Sequence, residues 1–214
     1  MTDALGFGPT PGQISPQMPD FLLVEPEPPT DVQVAEAGIT ALLRLIDTEP
    51  ERDGLALTPT RVVKAMLEFA ALPVADITDL LRVRFDENCD EIILVGPIQF
   101  TSLCEHHLLP FTGWGHIGYI PSDGKVVGLS KIPRLLDHFA RRPQMQERLT
   151  RQVADAFEDA VTPLGVGVVL RAQHHCMTLR GAKKSEASMV TSAMRGVFRT
   201  KPEARAEFLS LVRS

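Results

Sequence analysis

The heptapeptide TSLCEHH, residues 101–107, places a thiol, a carboxylate and two imidazoles side by side at the end of a β-rich segment. Cys104 and His107 are three residues apart, so one turn of backbone can present a sulfur and a nitrogen to the same point. A thiolate combined with an imidazole is a zinc-type ligand set. Two ligands do not hold a metal, so we expect at least one more from elsewhere in the chain.

The remaining ligand is expected from His174-His175-Cys176, the second place in the chain where cysteine and histidine cluster. The segment from Val166 to Met177 alternates apolar and polar residues, which predicts a strand with His174 and Cys176 on one face. A third protein ligand from this strand would leave one tetrahedral position open, as in catalytic zinc sites.

The cysteines have other roles open to them besides a metal site. A lone cysteine is most often a small buried hydrophobe, and Cys89 is interpreted in this way. A closed structural zinc site usually shows paired C-x-x-C motifs, which this sequence lacks. A disulfide would suit a secreted chain, but no apolar signal segment is seen and three cysteines leave one unpaired.

Composition favours a water-soluble protein with one substantial domain, with room for a smaller helical lobe, in its 214 residues. A net charge of −5 argues against general nucleic-acid binding, which needs a cationic surface. The sequence contains no apolar run long enough to span a bilayer and no targeting pattern at Met1. We therefore expect a cytoplasmic protein with no membrane partner.

The chain is predicted to divide into a flexible Pro-rich tail (1–30), an N-terminal helical segment (31–90) and a catalytic domain (91–214). Asp31 is the predicted N-cap of the first helix. Thr58 and Pro59 are predicted to open a second helix, with Arg61 in its first turn. From position alone, Arg61 is a solvated charge.

The catalytic domain is predicted to be α+β with an antiparallel sheet. Strands are expected at 91–103, 114–120, 166–177 and 189–198, and helices from Ser130 as N-cap, from Pro143, and over 202–212. Lys131 and Arg134 would concentrate positive charge where free backbone amides also point, which is typical of an anion site. Two solvated charges are an equal alternative at this point, and Glu147 by itself is an exposed helix carboxylate.

Four motifs in order resemble the GTP cyclohydrolase I family: CEHH (104–107), GLSK (128–131), RPQMQERL (142–149) and HHCMTLRG (174–181). The similarity runs from about Asp31 to the C-terminus. It implies hydrolysis of GTP to 7,8-dihydroneopterin triphosphate and formate, the first step towards folate or other pterins. The implied structure is the tunnelling fold, an antiparallel sheet with helices on one face. Several such sheets join into a barrel in a homodecamer of two pentamers, with sites between subunits.

The resemblance also implies a role for each matched residue. Zinc would be held by Cys104, His107 and Cys176, with water in the fourth position. His174 would donate a proton to the guanine ring, and His106 would help to move protons during ring opening. Glu147 would read the guanine edge with help from Gln146, and Ser130 would lie near the ribose. The implied triphosphate contacts are Lys131, Arg134, Arg180 and Arg61.

Two other functions remain open from the sequence. One is a different zinc hydrolase that acts on a purine or pterin with the same fold. The other is a non-enzymatic paralogue that keeps zinc for structure, although such a paralogue should have lost His106, His174 or Glu147. The zinc deaminases of bases fit poorly, because their H-x-E and P-C-x-x-C elements are missing.

Overall fold

The computed structural model describes residues 29–70 and 76–213. The predicted tail, residues 1–30, lies outside the described residues except for its last two positions. The chain divides into two compact units between Pro59 and Thr60. The predicted boundary at residue 90 between a helical segment and a catalytic domain stays a prediction.

The first unit contains helix α1 (Asp31–Ile46). Thr30 is its N-cap, and a capping box joins the side chains of Thr30 and Gln33 to each other's backbone amides. The predicted N-cap, Asp31, was therefore wrong by one residue. A short 3-10 turn follows at Asp53–Leu55.

The second unit is built on a five-stranded sheet of order β5-β2-β3-β6-β7. Its strands are β2 (Ile93–Cys104), β3 (Pro110–Ile120), β5 (Pro143–Gln144), β6 (Gly165–His174) and β7 (Met189–Gly196). The pairs β2–β3, β3–β6 and β6–β7 are antiparallel, and β5 runs parallel to the end of β2. Strands β1 (Arg84–Asp86) and β4 (Lys125–Val127) form a separate pair.

The remaining helices lie before, between and after these strands in the chain. They are α2 (Thr58–Phe69), which begins at the division between the units, α3 (Ile77–Leu81), α4 (Lys131–Ala140), α5 (Gln146–Val161), α6 (His175–Thr178), α7 (Val197–Thr200) and α8 (Pro202–Arg213). No helix among the described residues combines the length and apolar character that crossing a bilayer requires. The observed α+β architecture with an antiparallel main sheet confirms the predicted class.

The main core lies on the sheet face that α4 and α5 cover, where Leu136 and Phe157 pack with Ile117 and Tyr119. A smaller core lies on the opposite face under α7 and α8. There a side chain at Gly118 or Gly167 would come within 2.7 Å of the Phe208 ring, so glycine is needed at both positions for α8 to dock.

Two predicted elements were wrong near the candidate site. Pro143 does not open a helix, because Pro143 and Gln144 pair with Leu103 and Cys104 as β5, and α5 begins at Gln146. Strand β6 ends at His174 rather than Met177, and Cys176 lies in the one-turn helix α6. His174 and Cys176 are therefore not on one strand face.

Candidate active site

A tight turn at the end of β2 shapes the first half of the site. The Cys104 amide donates to the Leu109 carbonyl (2.8 Å), and the Leu108 amide donates back to the Cys104 carbonyl (2.8 Å). Leu108 has a φ of +53°, in the left-handed region that reverses the chain. His107 consequently folds back, and its Nδ1 lies 3.8 Å from the buried Cys104 Sγ.

The second half of the site comes from the end of β6. The register of β3 and β6 sets His174 opposite Phe111, and the α6 turn then carries Cys176 towards Cys104. The ligand atoms of Cys104, His107 and Cys176 all lie within 4.8 Å of one another. In the described part of the chain this is the one such group found that could hold a metal ion.

The donor set fits zinc. Tetrahedral zinc with bonds of about 2.0–2.3 Å holds its sulfur and nitrogen ligands roughly 3.5 Å apart, close to the Cys104–His107 separation. Burial raises the pKa of the Cys176 thiol, and the adjacent Cys104 thiol raises it further. A thiol that ionises reluctantly beside a second thiol is the arrangement that a divalent cation relieves, because a coordinated thiol is deprotonated.

His174 is held beside this group by two contacts. Its ring stacks on Phe111, with centroids 4.5 Å apart and planes within 4°, and its Nε2 lies 2.9 Å from Gln146 Oε1. Burial lowers the pKa of His174, while the nearby Glu147 carboxylate opposes that shift. An imidazole clamped in this way can exchange a proton without losing its orientation.

Gln146 is fully buried at the start of α5, and its side chain points into the protein. Its amide nitrogen lies within hydrogen-bond distance of the Leu170 carbonyl, the Met189 carbonyl and Thr191 Oγ1. The structure therefore places Gln146 behind His174. Its predicted contact with substrate has no support in these hydrogen bonds.

Three other predicted residues lie around the same group. Glu147 is exposed in the first turn of α5 and is close enough to His174 to affect its pKa. His106 is exposed on the turn, with its ring edge-on to His107. Arg180 is exposed just after α6, and its charge partly offsets the raised pKa of Cys176.

The residues at the start of α4 are elsewhere. Ser130 is the N-cap of α4, as predicted, but its hydroxyl makes no capping bond. Ser130 and Lys131 line an open cleft of about 830 Å³ with residues 95–98 of β2. Ile98 precedes Cys104 by six residues, which is about 20 Å along the strand at ~3.3 Å per residue. Arg134 is exposed on the same helix.

Arg61 is exposed on α2. The described contacts join it neither to the Cys104, His107 and Cys176 group nor to the residues at the start of α4. One chain therefore gathers the thiols, imidazoles and Glu147 at one end of β2. The same chain presents Ser130, Lys131 and Arg134 near the opposite end of β2.

Sequence reasoning missed several residues that shape the site. One of them is Phe111, whose only signal in the sequence is that an aromatic residue shortly after the TSLCEHH segment can serve as a stacking partner for an imidazole. Glu105 forms a two-pronged ion pair with Arg148, at 2.6 and 3.0 Å. Glu105 lies in the TSLCEHH segment and Arg148 in the RPQMQERL motif. Neither the spacing nor the polarity of these residues shows that the two side chains meet.

Comparisons with known proteins identify the family to which this chain is similar. The model of the GTP cyclohydrolase I family matches residues 35–213. The chain is 46% identical over 184 residues to GTP cyclohydrolase 1 of Thermoanaerobacter pseudethanolicus, covering 86% of this chain and 98% of that protein. It is 49% identical over 183 residues to GTP cyclohydrolase 1 of Mycobacterium tuberculosis, covering 85% and 91%.

A solved structure also shares some of the backbone. It is the apo form of archaeosine synthase QueF-Like, with 17% sequence identity and a TM-score of 0.39, covering 50% of this chain and 92% of the other. That likeness is too weak to add to the argument.

Proposed function

The chain belongs to the GTP cyclohydrolase I family, and we propose that its Cys104, His107 and Cys176 group opens the guanine ring of GTP. Members of the family hydrolyse GTP to 7,8-dihydroneopterin triphosphate and formate, a step of pterin and folate biosynthesis, and they share the tunnelling fold. The observation that carries the proposal is the convergence of these three ligands beside His174.

The reaction requires two bonds to one carbon to be broken. Water adds to the guanine carbon between the two imidazole-ring nitrogens, and the bond from that carbon to the ribose-bearing nitrogen breaks. A second water then releases the same carbon as formate. The ribose chain rearranges and closes the new ring with loss of one water, so the overall reaction consumes one water.

His174 is the proposed donor of the proton that makes the guanine ring electrophilic. Phe111 and Gln146 hold its ring, so the proton is delivered from a fixed position. His106, exposed on the same turn as His107, is proposed to take and return protons as the ring opens. Histidine suits both roles because its ordinary pKa lies near working pH.

Glu147 is proposed to read the guanine edge. An ionised carboxylate has two acceptor oxygens and can accept from the ring N–H and the 2-amino group of guanine, which adenine cannot supply. Its exposure at the start of α5, close to His174, supports this role.

Zinc is the proposed metal, held by Cys104, His107 and Cys176. When bound it supplies a Lewis acid that makes a water reactive near neutral pH. The two thiols and the imidazole favour zinc over the hard cations, which prefer oxygen ligands.

The triphosphate site is proposed to come from a second copy of the chain. Ser130 and Lys131 line a cleft about 20 Å from Cys104 by strand length, and Arg134 follows them on α4. That distance is farther than one GTP bound at the metal can reach. A neighbouring subunit that presents these residues would complete the site. Arg180 from the metal side, and Arg61 from α2, are proposed to add charge. This separation supports a site shared between subunits of an oligomer, and the homodecamer of two pentamers is proposed from the family resemblance.

The cytoplasm is the proposed location. Cys104 and Cys176 must stay as thiols to bind a metal, and reducing compartments keep them so. GTP is also present there.

The experiment that tests the function uses purified, zinc-loaded protein and GTP. Formate and, after oxidation, a fluorescent neopterin product should appear together, and ATP should give neither. Protein that binds zinc and GTP but forms no product would instead support the non-enzymatic paralogue.

A further inference from the structure

The Glu105–Arg148 ion pair joins two candidate-site segments that are 43 residues apart in sequence. Arg148 Nη1 lies 2.6 Å from Glu105 Oε2, and Arg148 Nη2 lies 3.0 Å from Glu105 Oε1. This is the two-pronged arrangement in which a planar guanidinium fixes both the distance and the orientation of a carboxylate. Both side chains are partly exposed, and exposed ion pairs add little to folding stability. The pair is therefore more informative about geometry than about stability.

Each end of the pair is next to a residue of the proposed mechanism. Glu105 directly follows the metal ligand Cys104, and Arg148 directly follows Glu147 in the first turn of α5. The Glu105 amide also donates to the Gln144 carbonyl (3.1 Å), and β5 pairs with the end of β2. Backbone hydrogen bonds thus join the turn after Cys104 to the segment just before α5. The ion pair joins the same turn to the first turn of α5.

We propose that Glu105 and Arg148 are positioning residues that set the separation between the metal group and the Glu147 carboxylate. This inference rests on the proposed function, in which Glu147 reads one edge of guanine while the carbon to be attacked lies at the metal. Guanine is rigid and planar, so the two anchors have one productive separation. A misplacement of about 1 Å can cost about 10²-fold in rate.

The contacts argue against a direct role for Arg148 in binding the triphosphate. Two of its guanidinium nitrogens already face the two oxygens of Glu105, and this contact raises the pKa of Arg148 and lowers that of Glu105. Each partner thus stabilises the charged form of the other.

Arg148→Lys is the most informative variant, because it keeps the positive charge and removes the two-pronged geometry. Glu105→Gln is the complementary change on the metal side. The matched control is Arg195→Lys, since Arg195 Nε and Nη2 contact Asp155 Oδ1 farther along α5, away from the site. The measurements are zinc content, melting temperature, and kcat and KM for GTP and for inosine triphosphate, which lacks the 2-amino group.

Both site variants should keep zinc and fold like the control, with kcat for GTP reduced about tenfold or more and KM changed much less. Their preference for GTP over inosine triphosphate should shrink, because the Glu147 contact is no longer made in the reactive position. Exchanging the charges, Glu105→Arg with Arg148→Glu, should recover part of the loss. Arg195→Lys should leave the nucleotide preference unchanged.

Unchanged kcat and unchanged nucleotide preference in both site variants would overturn the inference. Loss of zinc in step with activity would also overturn it, in favour of a role in holding the metal ligands. Failure of the proposed function would be visible separately, because the parent protein itself would release no formate from GTP.

Discussion

Gln146 Oε1 accepts a hydrogen bond from His174 Nε2 over 2.9 Å, and the surroundings of Gln146 fix the direction of that bond. The other end of the amide, Nε2, faces two carbonyl oxygens and the Thr191 hydroxyl, so it must be the donor end. The oxygen is then left facing His174, whose Nε2 carries a hydrogen. In the proposed mechanism, the remaining nitrogen of His174, Nδ1, is the one that exchanges a proton with substrate.

Gln146→Met should lower kcat about tenfold while leaving KM for GTP nearly unchanged. The variant keeps the size of the side chain but removes the acceptor that orients His174, so the change should appear in the chemical step. Steady-state kinetics on zinc-loaded protein provides the test. If Gln146 instead touched guanine, KM would rise and kcat would be retained.

Cys176→Ser should lose both zinc and turnover, because a serine hydroxyl is a much poorer zinc ligand than a thiolate. The parent should carry about one zinc per chain, measured by elemental analysis. Cys89→Ser is the matched control, since Cys89 lies outside the ligand group, and it should keep both properties. Full turnover in metal-free parent protein would contradict the metal assignment.

Lys131→Ala and His174→Ala should fail in different ways. Lys131→Ala should weaken GTP binding, with a dependence on salt that reports lost charge. His174→Ala should keep zinc and GTP binding while turnover falls by roughly 10²–10⁴-fold, as expected for loss of a general acid.

The same two variants test whether the site lies between subunits. If a neighbour supplies Lys131, mixed oligomers of the two impaired chains should contain about a quarter intact sites by random assembly. Activity should therefore return after the chains are unfolded and refolded together. No recovery from well-assembled mixtures would place all the residues of a site in one chain.

Acid should destabilise the fold through His116. Burial lowers the pKa of His116 below its ordinary value of 6.5, so the unfolded chain binds more protons as pH falls through that value. The free energy of unfolding should therefore decrease on acidification below about pH 6.5. His116→Gln should make this decrease shallower in urea titrations at pH 7.5 and 5.5. An identical pH dependence in both proteins would contradict the assignment.

The long elements could be predicted from sequence because their patterns are local. Apolar periodicity indicated α5, α8 and the alternating β6, and the candidate metal ligands stood out because cysteine and histidine cluster in two places. The short elements could not be predicted in this way. Strand β5 exists because Pro143 and Gln144 pair with Leu103 and Cys104, forty residues earlier in the chain, and no local signal records that contact.

The position of Cys176 shows the same limit. The alternating pattern predicted a strand through Met177, but the chain turns at His175 and brings Cys176 to Cys104 by a helical turn. The structure brings the three predicted ligands together, although the predicted path of the chain to Cys176 was wrong. The partners of Gln146 and Glu105 depend on tertiary packing, and they became visible only in the structure.

The most direct test of the account follows the carbon atom that the reaction removes. GTP labelled with ¹³C at the guanine carbon between the two imidazole-ring nitrogens is incubated with zinc-loaded protein and observed by NMR. The label is expected to appear in free formate, in equal amount to the pterin product, and His174→Ala with its zinc retained is expected to slow this release. Label that stays in an intact nucleotide, or release that is as fast without His174, would contradict it.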